Sequence, residues 1–237
     1  MQKRIAYIQK SVQPRFIAVE GIDGAGKTTL IEHIVSHLYH TGISDNVLRV
    51  REPGSSTVGN TCRSLLLSGA SQGNIHTDIV LMCVSRSVML NTLVRPHLRG
   101  NLHGIPTSTV AISDRYIDST WAYQVYPSLA ESGLLRTLES AECELNIDIL
   151  PGLTIYLKLD VETSKARRGG GDAVEGRDDA YYEKVLKGYE YQIENKHPDQ
   201  QYCVIDATQS FESVQNEATA AVSRYFKLKT TRSDSDA

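Results

Sequence analysis

Short apolar runs alternate with segments of helical periodicity along most of the chain. Runs of four to seven apolar residues bounded by turn residues are typical of buried strands, and they fall at 16–19, 47–50, 109–113, 153–159 and 202–205. Between them, apolar residues recur every three or four positions and predict helices over 30–38, 59–67, 77–99, 128–145, 181–191 and 211–225. Strands that alternate with helices predict an α/β fold, in which a five-stranded parallel sheet carries helices on both faces.

The first strand passes directly into the glycine-rich sequence Gly21-x-x-x-x-Gly26-Lys27-Thr28, and a helical pattern follows. Strand, glycine loop and helix in this order are the context of a phosphate-binding P-loop, so the fold is predicted to be that of a P-loop NTPase. Backbone N–H groups of such a loop and the positive end of the helix dipole bind phosphate oxygens. The predicted nucleotide-binding residues are Gly21, Ile22, Asp23, Gly24, Ala25, Gly26, Lys27, Thr28 and Thr29.

The length of 237 residues is sufficient for one α/β domain with a substantial core. We expect this domain at 16–226, after a basic extension at 1–15 and before a disordered polar tail at 227–237. A charged, glycine-rich segment at about 165–178 predicts a mobile lid.

Composition and charge narrow the range of partners and compartments. The net charge of −3 lacks the basic excess typical of nucleic-acid binding, so no nucleic-acid partner is expected. Four scattered cysteines without a C-x-x-C pair indicate reduced thiols and a cytoplasmic protein. We find no signal peptide and expect no membrane partner.

Arginines near the ends of predicted strands and helices suggest a second phosphorylated substrate beside the nucleotide. A guanidinium binds phosphate through two parallel hydrogen bonds. The arginines are Arg51, Arg63, Arg86 and Arg115. No Asn-Lys-x-Asp sequence, the guanine-reading motif of GTPases, is present.

Three segments together resemble the thymidylate kinases, a family of P-loop nucleoside monophosphate kinases. The sequence EGIDGAGKTT at 20–29 resembles the P-loop of that family. The sequences REPGSSTVG at 51–59 and ISDRYIDSTWAYQ at 112–124 are similar to two further motifs. The match runs in the same order and spacing over about 16–222.

The resemblance implies that the chain phosphorylates dTMP to dTDP, with ATP as donor and Mg²⁺ as cofactor. It also implies a homodimer, for which the apolar residues of 79–94 are a candidate contact. Two alternatives stay open: a deoxynucleoside monophosphate kinase of broader specificity, and a nucleotide-binding sensor without catalytic activity.

The family pattern also assigns roles to individual residues. Lys27, Asp114 and Arg115 match catalytic positions, and Thr28 and Asp114 match the positions that ligate Mg²⁺. The positions that match acceptor-binding residues are Asp23, Arg51, Pro53, Met82, Arg86, Arg115, Thr120, Tyr123 and Gln124. The resemblance implies that Asp23 contacts the sugar 3′-hydroxyl, that Arg115 and Arg51 bind the acceptor phosphate, and that Tyr123 disfavours a 2′-hydroxyl. It further implies that Arg86 and Thr120 contact thymine.

The sequence departs from the family pattern at two places. Met82 stands where many members have a phenylalanine that stacks on thymine, and a methionine there is equally typical of a core residue. Gly24 stands where some members have a catalytic arginine, so the resemblance implies that a lid arginine takes this role. Arg168 is the first candidate, with Arg167 and Arg177 as the others, and a solvated charged loop remains the alternative.

Overall fold

The computed structural model describes residues 10–99, 101–102, 105–106, 108–167 and 178–233. Its centre is a parallel sheet of five strands in the order β2-β5-β1-β6-β7, which confirms the predicted fold class. The strands are β1 Ser11–Glu20, β2 Asn46–Arg51, β5 Thr109–Asp114, β6 Ile149–Lys158 and β7 Gln201–Asp206. A separate antiparallel pair consists of β3 Asn101–Leu102 and β4 Ile105–Pro106.

The helices lie between the strands along the chain. They are α1 Lys27–His40, α2 Thr57–Leu67, α3 Ile75–Met89, α4 Arg95–Leu98, α5 Ile117–Thr120, α6 Leu134–Glu144, α7 Val161–Arg167, α8 Asp179–Glu194 and α9 Phe211–Ser233. One π-helical turn, Leu90–Val94, joins α3 to α4, and another, Trp121–Val125, continues α5.

Strand β1 is buried on both faces, which explains its continuous apolar sequence. Ile17 and Val19 belong to a cluster that includes residues of α1, α8 and α9. Phe16 and Ala18 belong to a second cluster on the other face, with residues of α3 and α6. The alternation shows that helices cover both faces of the sheet, as predicted.

Several element boundaries differ from the expected ones. Strand β1 begins at Ser11, so residues 11–15 of the expected extension belong to the strand, and Ser11 to Gln13 pair with β6. Helix α9 continues to Ser233, into the expected tail, because no glycine or proline interrupts its sequence. Helix α6 starts only after Gly133, whose φ of 79° is left-handed.

One helical stretch, Ile75–Leu98, is long and apolar enough to cross a membrane by length and composition. This finding qualifies the expectation, drawn from the sequence, that the protein has no membrane partner. However, 56% of its most apolar window is buried inside the structure, as in the core helix of a globular domain. It is therefore weak support for a membrane span.

The carboxyl ends of the parallel strands lie at one edge of the sheet. In open α/β sheets, ligands bind in the crevice beyond this edge. β1 leads into the P-loop, β2 into Glu52 and Pro53, and β5 into Arg115. The fold thus gathers three separate sequence motifs at one place.

Candidate active site

The P-loop lies between the end of β1 and the start of α1. A Cβ atom at Gly21 would lie 2.7 Å from the carbonyl oxygen of Leu157, so only glycine fits at this approach to β6. Gly24 and Gly26 have left-handed φ values of 80° and 88°, which glycine adopts at low cost. The first turn of α1, from Lys27, places its unpaired N–H groups at the loop.

Lys27 is buried and is held against its own loop. Its Nζ atom donates a hydrogen bond to the carbonyl oxygen of Ile22 at 3.0 Å and lies 3.9 Å from Asp23 Oδ1. Burial lowers the pKa of Lys27 to about 8, and the charge of Arg115 adds to this effect, while Asp23 and Asp114 oppose it. An anion beside Lys27 would therefore favour its protonated form.

Thr28 and Asp114 place two oxygen ligands side by side. The Thr28 hydroxyl donates to Asp114 Oδ2 at 3.0 Å. Within the described ranges, no group of three or more His, Cys, Asp and Glu side chains could hold a metal ion. Mg²⁺ does not require such a cage, because it is usually held by one or two protein oxygens together with phosphates and water. The donor set at this site fits that pattern.

Arg115 lies at the centre of the crevice. Its Nη1 atom donates to the Gly21 carbonyl at 2.8 Å and to the hydroxyls of Ser119 and Tyr189, both at 3.0 Å. Its Nη2 atom donates to Asp23 Oδ1 at 2.7 Å. Arg115 also has a φ of 70°, an uncommon value for a residue with a side chain, and such strain is often found at functional sites.

Two further arginines converge on the same region. Arg63 Nη1 donates to the carbonyl oxygen of Pro53 at 3.4 Å, while Arg51 is exposed. Burial lowers the pKa of Arg63, and the positive charges of Arg51 and Arg115 lower it further. The positive charges of Arg51 and Arg115 thus act on Arg63, and a cluster of this sign favours the binding of an anion.

A buried ion pair lies beside this cluster. Arg86 and Glu52 are both almost fully buried, and Arg86 Nε and Nη2 lie 2.8 and 2.6 Å from Glu52 Oε2. Arg86 Nη2 also donates to the Thr120 hydroxyl at 2.8 Å. Arg86 Nη1 and Glu52 Oε1 are buried and have no partner among the described residues. Buried polar atoms of this kind take an ordered water molecule or a polar ligand as partner.

Of the remaining predicted acceptor residues, Tyr123 is the one whose contacts place it at the crevice. The Tyr123 ring lies 5.0 Å from the Arg115 guanidinium, and its hydroxyl is 3.4 Å from Arg115 Nη2. Gln124 Oε1 is buried without a partner in the described part of the chain. Met82 is buried but belongs to neither of the two apolar clusters.

Among the lid candidates, Arg167 lies within the described residues, and it is not brought into the site. Arg167, at the end of α7, donates from Nη1 to the carbonyl oxygen of Ala207 at 2.9 Å. Arg168 and Arg177 lie outside the described residues. The contact of Arg167 places it at the loop that follows β7, away from Arg115.

Two buried carboxylates are parts of the site that the sequence analysis did not identify. Glu52 pairs with Arg86, and Glu20 accepts hydrogen bonds from the Tyr116 amide at 2.7 Å and the Ser119 hydroxyl at 2.6 Å. Burial raises the pKa of Glu20 to about 8, and Asp118 raises it further. In the sequence, the signal that could have identified Glu20 and Glu52 is an acidic residue at the carboxyl end of a predicted strand.

The described residues combine a P-loop with neighbouring arginines and a buried polar cluster around Arg86. Residues 19–218 match the sequence profile of the family described as thymidylate kinase. A thymidylate kinase of Exiguobacterium sibiricum is 35% identical over 90% of this chain and 96% of its own length. One of Synechococcus sp. is 34% identical over 84% and 92%, and one of Staphylococcus haemolyticus is 32% identical over 90% and 98%. The chain therefore belongs to the thymidylate kinase family.

Proposed function

We propose that this protein transfers the γ-phosphoryl group of ATP to the phosphate of dTMP, giving ADP and dTDP. The observation that carries the proposal is the convergence of Arg51, Arg63 and Arg115 on one crevice next to the P-loop. A P-loop alone accounts for the donor nucleotide, and the arginines account for a phosphorylated acceptor. Membership of the thymidylate kinase family supports the choice of dTMP.

On this proposal, the chain acts mainly by positioning its two substrates. Gly21 to Thr29 and Lys27 bind the phosphates of ATP, while Arg115 and Arg51 bind the phosphate of dTMP. That phosphate is already ionised at neutral pH, so the reaction needs alignment rather than a strong general base. When the acceptor binds, its phosphate replaces Asp23 as a partner of Arg115. Asp23 then accepts a hydrogen bond from the sugar 3′-hydroxyl.

Thr28 and Asp114 are the residues that would hold Mg²⁺, because their oxygens already lie 3.0 Å apart at the P-loop. When bound, Mg²⁺ neutralises charge on the transferred phosphoryl group. Asp114 is thus a positioning and metal-binding group in this proposal.

The buried polar atoms of Arg86, Thr120 and Gln124 suit the edge of a pyrimidine base. Arg86 Nη1 and Gln124 Oε1 are free to form hydrogen bonds, and Tyr123 limits the space at the sugar. Met82 favours a second candidate, a kinase with broader base specificity, because a flexible thioether covers a base face less strictly than an aromatic ring.

A lid arginine completes the proposed site. Arg168 is the first choice, since Arg167 bonds to Ala207 in this structure. A cation placed against the transferred phosphoryl group contributes a factor of roughly 10³ or more to the rate. Arg177 is the second choice.

We further propose a cytoplasmic homodimer. Of the apolar residues of 79–94 considered as a candidate contact, Ile79, Cys83, Leu90 and Val94 are buried within one chain, whereas Val80 is exposed. Exposed apolar residues remain on the outer side of α2 and α3, and these are Val58, Leu65 and Val80. A second copy of the chain is the proposed partner of this surface.

An ADP-release assay with ATP, dTMP and Mg²⁺ tests the proposal. We expect turnover that stops when Mg²⁺ is chelated, and a rate at least a hundredfold lower for Arg168→Ala than for Arg167→Ala. Release of ADP without dTMP, or no release with it, would contradict a dTMP kinase. Equal rates for the two variants would contradict the lid assignment alone.

A further inference from the structure

A tyrosine outside every recognised motif contacts the central arginine of the site. Tyr189 lies on α8, the helix that follows the segment predicted to be the lid, and it is almost fully buried. Its hydroxyl accepts a hydrogen bond from Arg115 Nη1 at 3.0 Å and donates one to Glu20 Oε2 at 3.2 Å. It therefore stands between the buried guanidinium of Arg115 and the buried carboxyl group of Glu20.

This arrangement leaves one side of Arg115 available to a ligand. The contacts with Tyr189, Ser119 and the Gly21 carbonyl are all made by Nη1, so this corner of the guanidinium is engaged with the protein. Nη2 contacts the Asp23 carboxylate, whose side chain is 43% exposed, and lies 3.4 Å from the Tyr123 hydroxyl. A phosphate on this side would replace Asp23 as the partner of Nη2. The hydroxyl of Tyr189 also separates Arg115 from Glu20, so that Glu20 supports the arginine without occupying its ligand-binding side.

The ring of Tyr189 is fixed by its neighbours. Its centroid lies 4.9 Å from that of Tyr156 on β6 and 6.4 Å from that of Tyr123, which in turn lies against Arg115. Because aromatic packing holds the ring, the hydroxyl has a defined position relative to Arg115.

We propose that Tyr189 is a positioning residue, which orients Arg115 for the acceptor phosphate. The proposal rests on the proposed function, because it takes Arg115 to be the group that binds the phosphate of dTMP.

The test compares the binding of dTMP with that of thymidine, which lacks the phosphate. In Tyr189→Phe the ring stays and only the hydroxyl is lost. By calorimetry we expect dTMP to bind about tenfold more weakly, since hydrogen bonds to charged groups are among the stronger ones, while thymidine binds as in the wild type. If the hydroxyl had a merely structural role, Tyr189→Phe would lower the affinity for dTMP and for thymidine by the same factor, and that result would overturn the proposal.

Tyr156→Phe is the matched control, because Tyr156 is equally buried in the same aromatic cluster and no hydrogen bond of its hydroxyl is found among the described residues. We expect this variant to bind dTMP normally; the same tenfold loss there would overturn the proposal. In an Arg115→Ala background, Tyr189→Phe should add less than a twofold effect, and an independent tenfold loss would show that Tyr189 does not act through Arg115.

The same measurements separate this proposal from the proposed function. A wild type that binds no dTMP would contradict the proposed function. A wild type whose affinity for dTMP depends on Arg115 but not on the Tyr189 hydroxyl would overturn only the positioning role.

Discussion

At the residue scale, the site consists of charges that are buried and already paired with one another. Arg86 and Glu52 are the clearest case, since both side chains are almost inaccessible to solvent. Burial raises the pKa of Glu52, and Arg86 opposes this rise. Loss of either partner leaves the other as an uncompensated charge in the interior.

We therefore expect Glu52→Ala to lower the free energy of unfolding by about 3–5 kcal/mol. Glu32→Ala is the control, because Glu32 forms an exposed ion pair with Arg49. Loss of this exposed pair should lower the free energy of unfolding by less than about 1 kcal/mol. Urea denaturation of both variants measures the difference, and similar losses would contradict the account of this pair.

Lys27 gives the site a pH dependence. With a pKa of about 8 in the free protein, Lys27 is protonated below pH 8 and becomes neutral above it. Bound phosphates favour the charged form, so ATP binding takes up a proton above pH 8, and the affinity falls as the pH rises.

Calorimetric titration with ATP should show the dissociation constant rising by up to about tenfold per pH unit between pH 8 and 9.5. Between pH 7 and 7.5 the titration of Lys27 should change the dissociation constant little, because Lys27 is mostly charged both in the free protein and in the ATP complex. In Lys27→Met the rise above pH 8 should vanish. A rise of the same size in that variant would assign the titration to another group.

At the element scale, close helix contacts depend on small residues that periodicity does not reveal. A Cβ atom at Gly188 on α8 would lie 2.7 Å from Ala122 Cα, which belongs to the π-helical turn after α5. Since backbone cannot give way as a flexible side chain can, Gly188→Ala should lower the free energy of unfolding by about 1–3 kcal/mol.

Lys187→Ala is the neighbouring control on the solvent side of α8 and should change stability by less than about 0.5 kcal/mol. Thermal unfolding of the two variants checks this expectation. If Gly188→Ala were as stable as Lys187→Ala, the helix contact would be looser than the structure indicates.

Periodicity predicted all five strands of the sheet and most helices, because each strand core is apolar and each helix has an apolar face. It missed the first half of β1, where the polar Arg15 belongs to the strand. Arg15 donates to the Ile43 carbonyl at 2.8 Å and its guanidinium lies 5.4 Å from the Phe226 ring, contacts made with distant parts of the chain. The short helix α5 was also missed, since four residues contain too little of a helical period.

At the scale of the whole molecule, the motifs predicted which segments meet, but not how their side chains pair. The P-loop and Arg115 lie in short motifs with fixed spacing, and Arg86 was assigned from its position in the family pattern. The partners of Arg86 and Arg115 were not, because Glu52 lies 34 residues from Arg86 and Tyr189 lies 74 residues from Arg115. Such pairs arise from the order of strands in the sheet, which local patterns do not encode.

On the proposed function, the site recognises an acceptor that carries both a phosphate and a pyrimidine base. The proposed contacts are Arg51 and Arg115 for the phosphate, and Arg86, Thr120 and Gln124 for the base. Met82 is the proposed contact that favours a broader base specificity. Selectivity among acceptors is therefore the property that depends on every part of the crevice at once.

The most direct test of the central claim is the ratio of kcat/KM for dTMP to that for dUMP, dCMP, dGMP and the ribose analogue of dTMP, measured with Mg-ATP. The account predicts that dTMP is preferred over dCMP and dGMP by at least about a hundredfold, since a base that leaves the buried Arg86 and Gln124 unpaired loses that much. Comparable values of kcat/KM for all the acceptors would contradict a thymidylate kinase and indicate the broader deoxynucleoside monophosphate kinase.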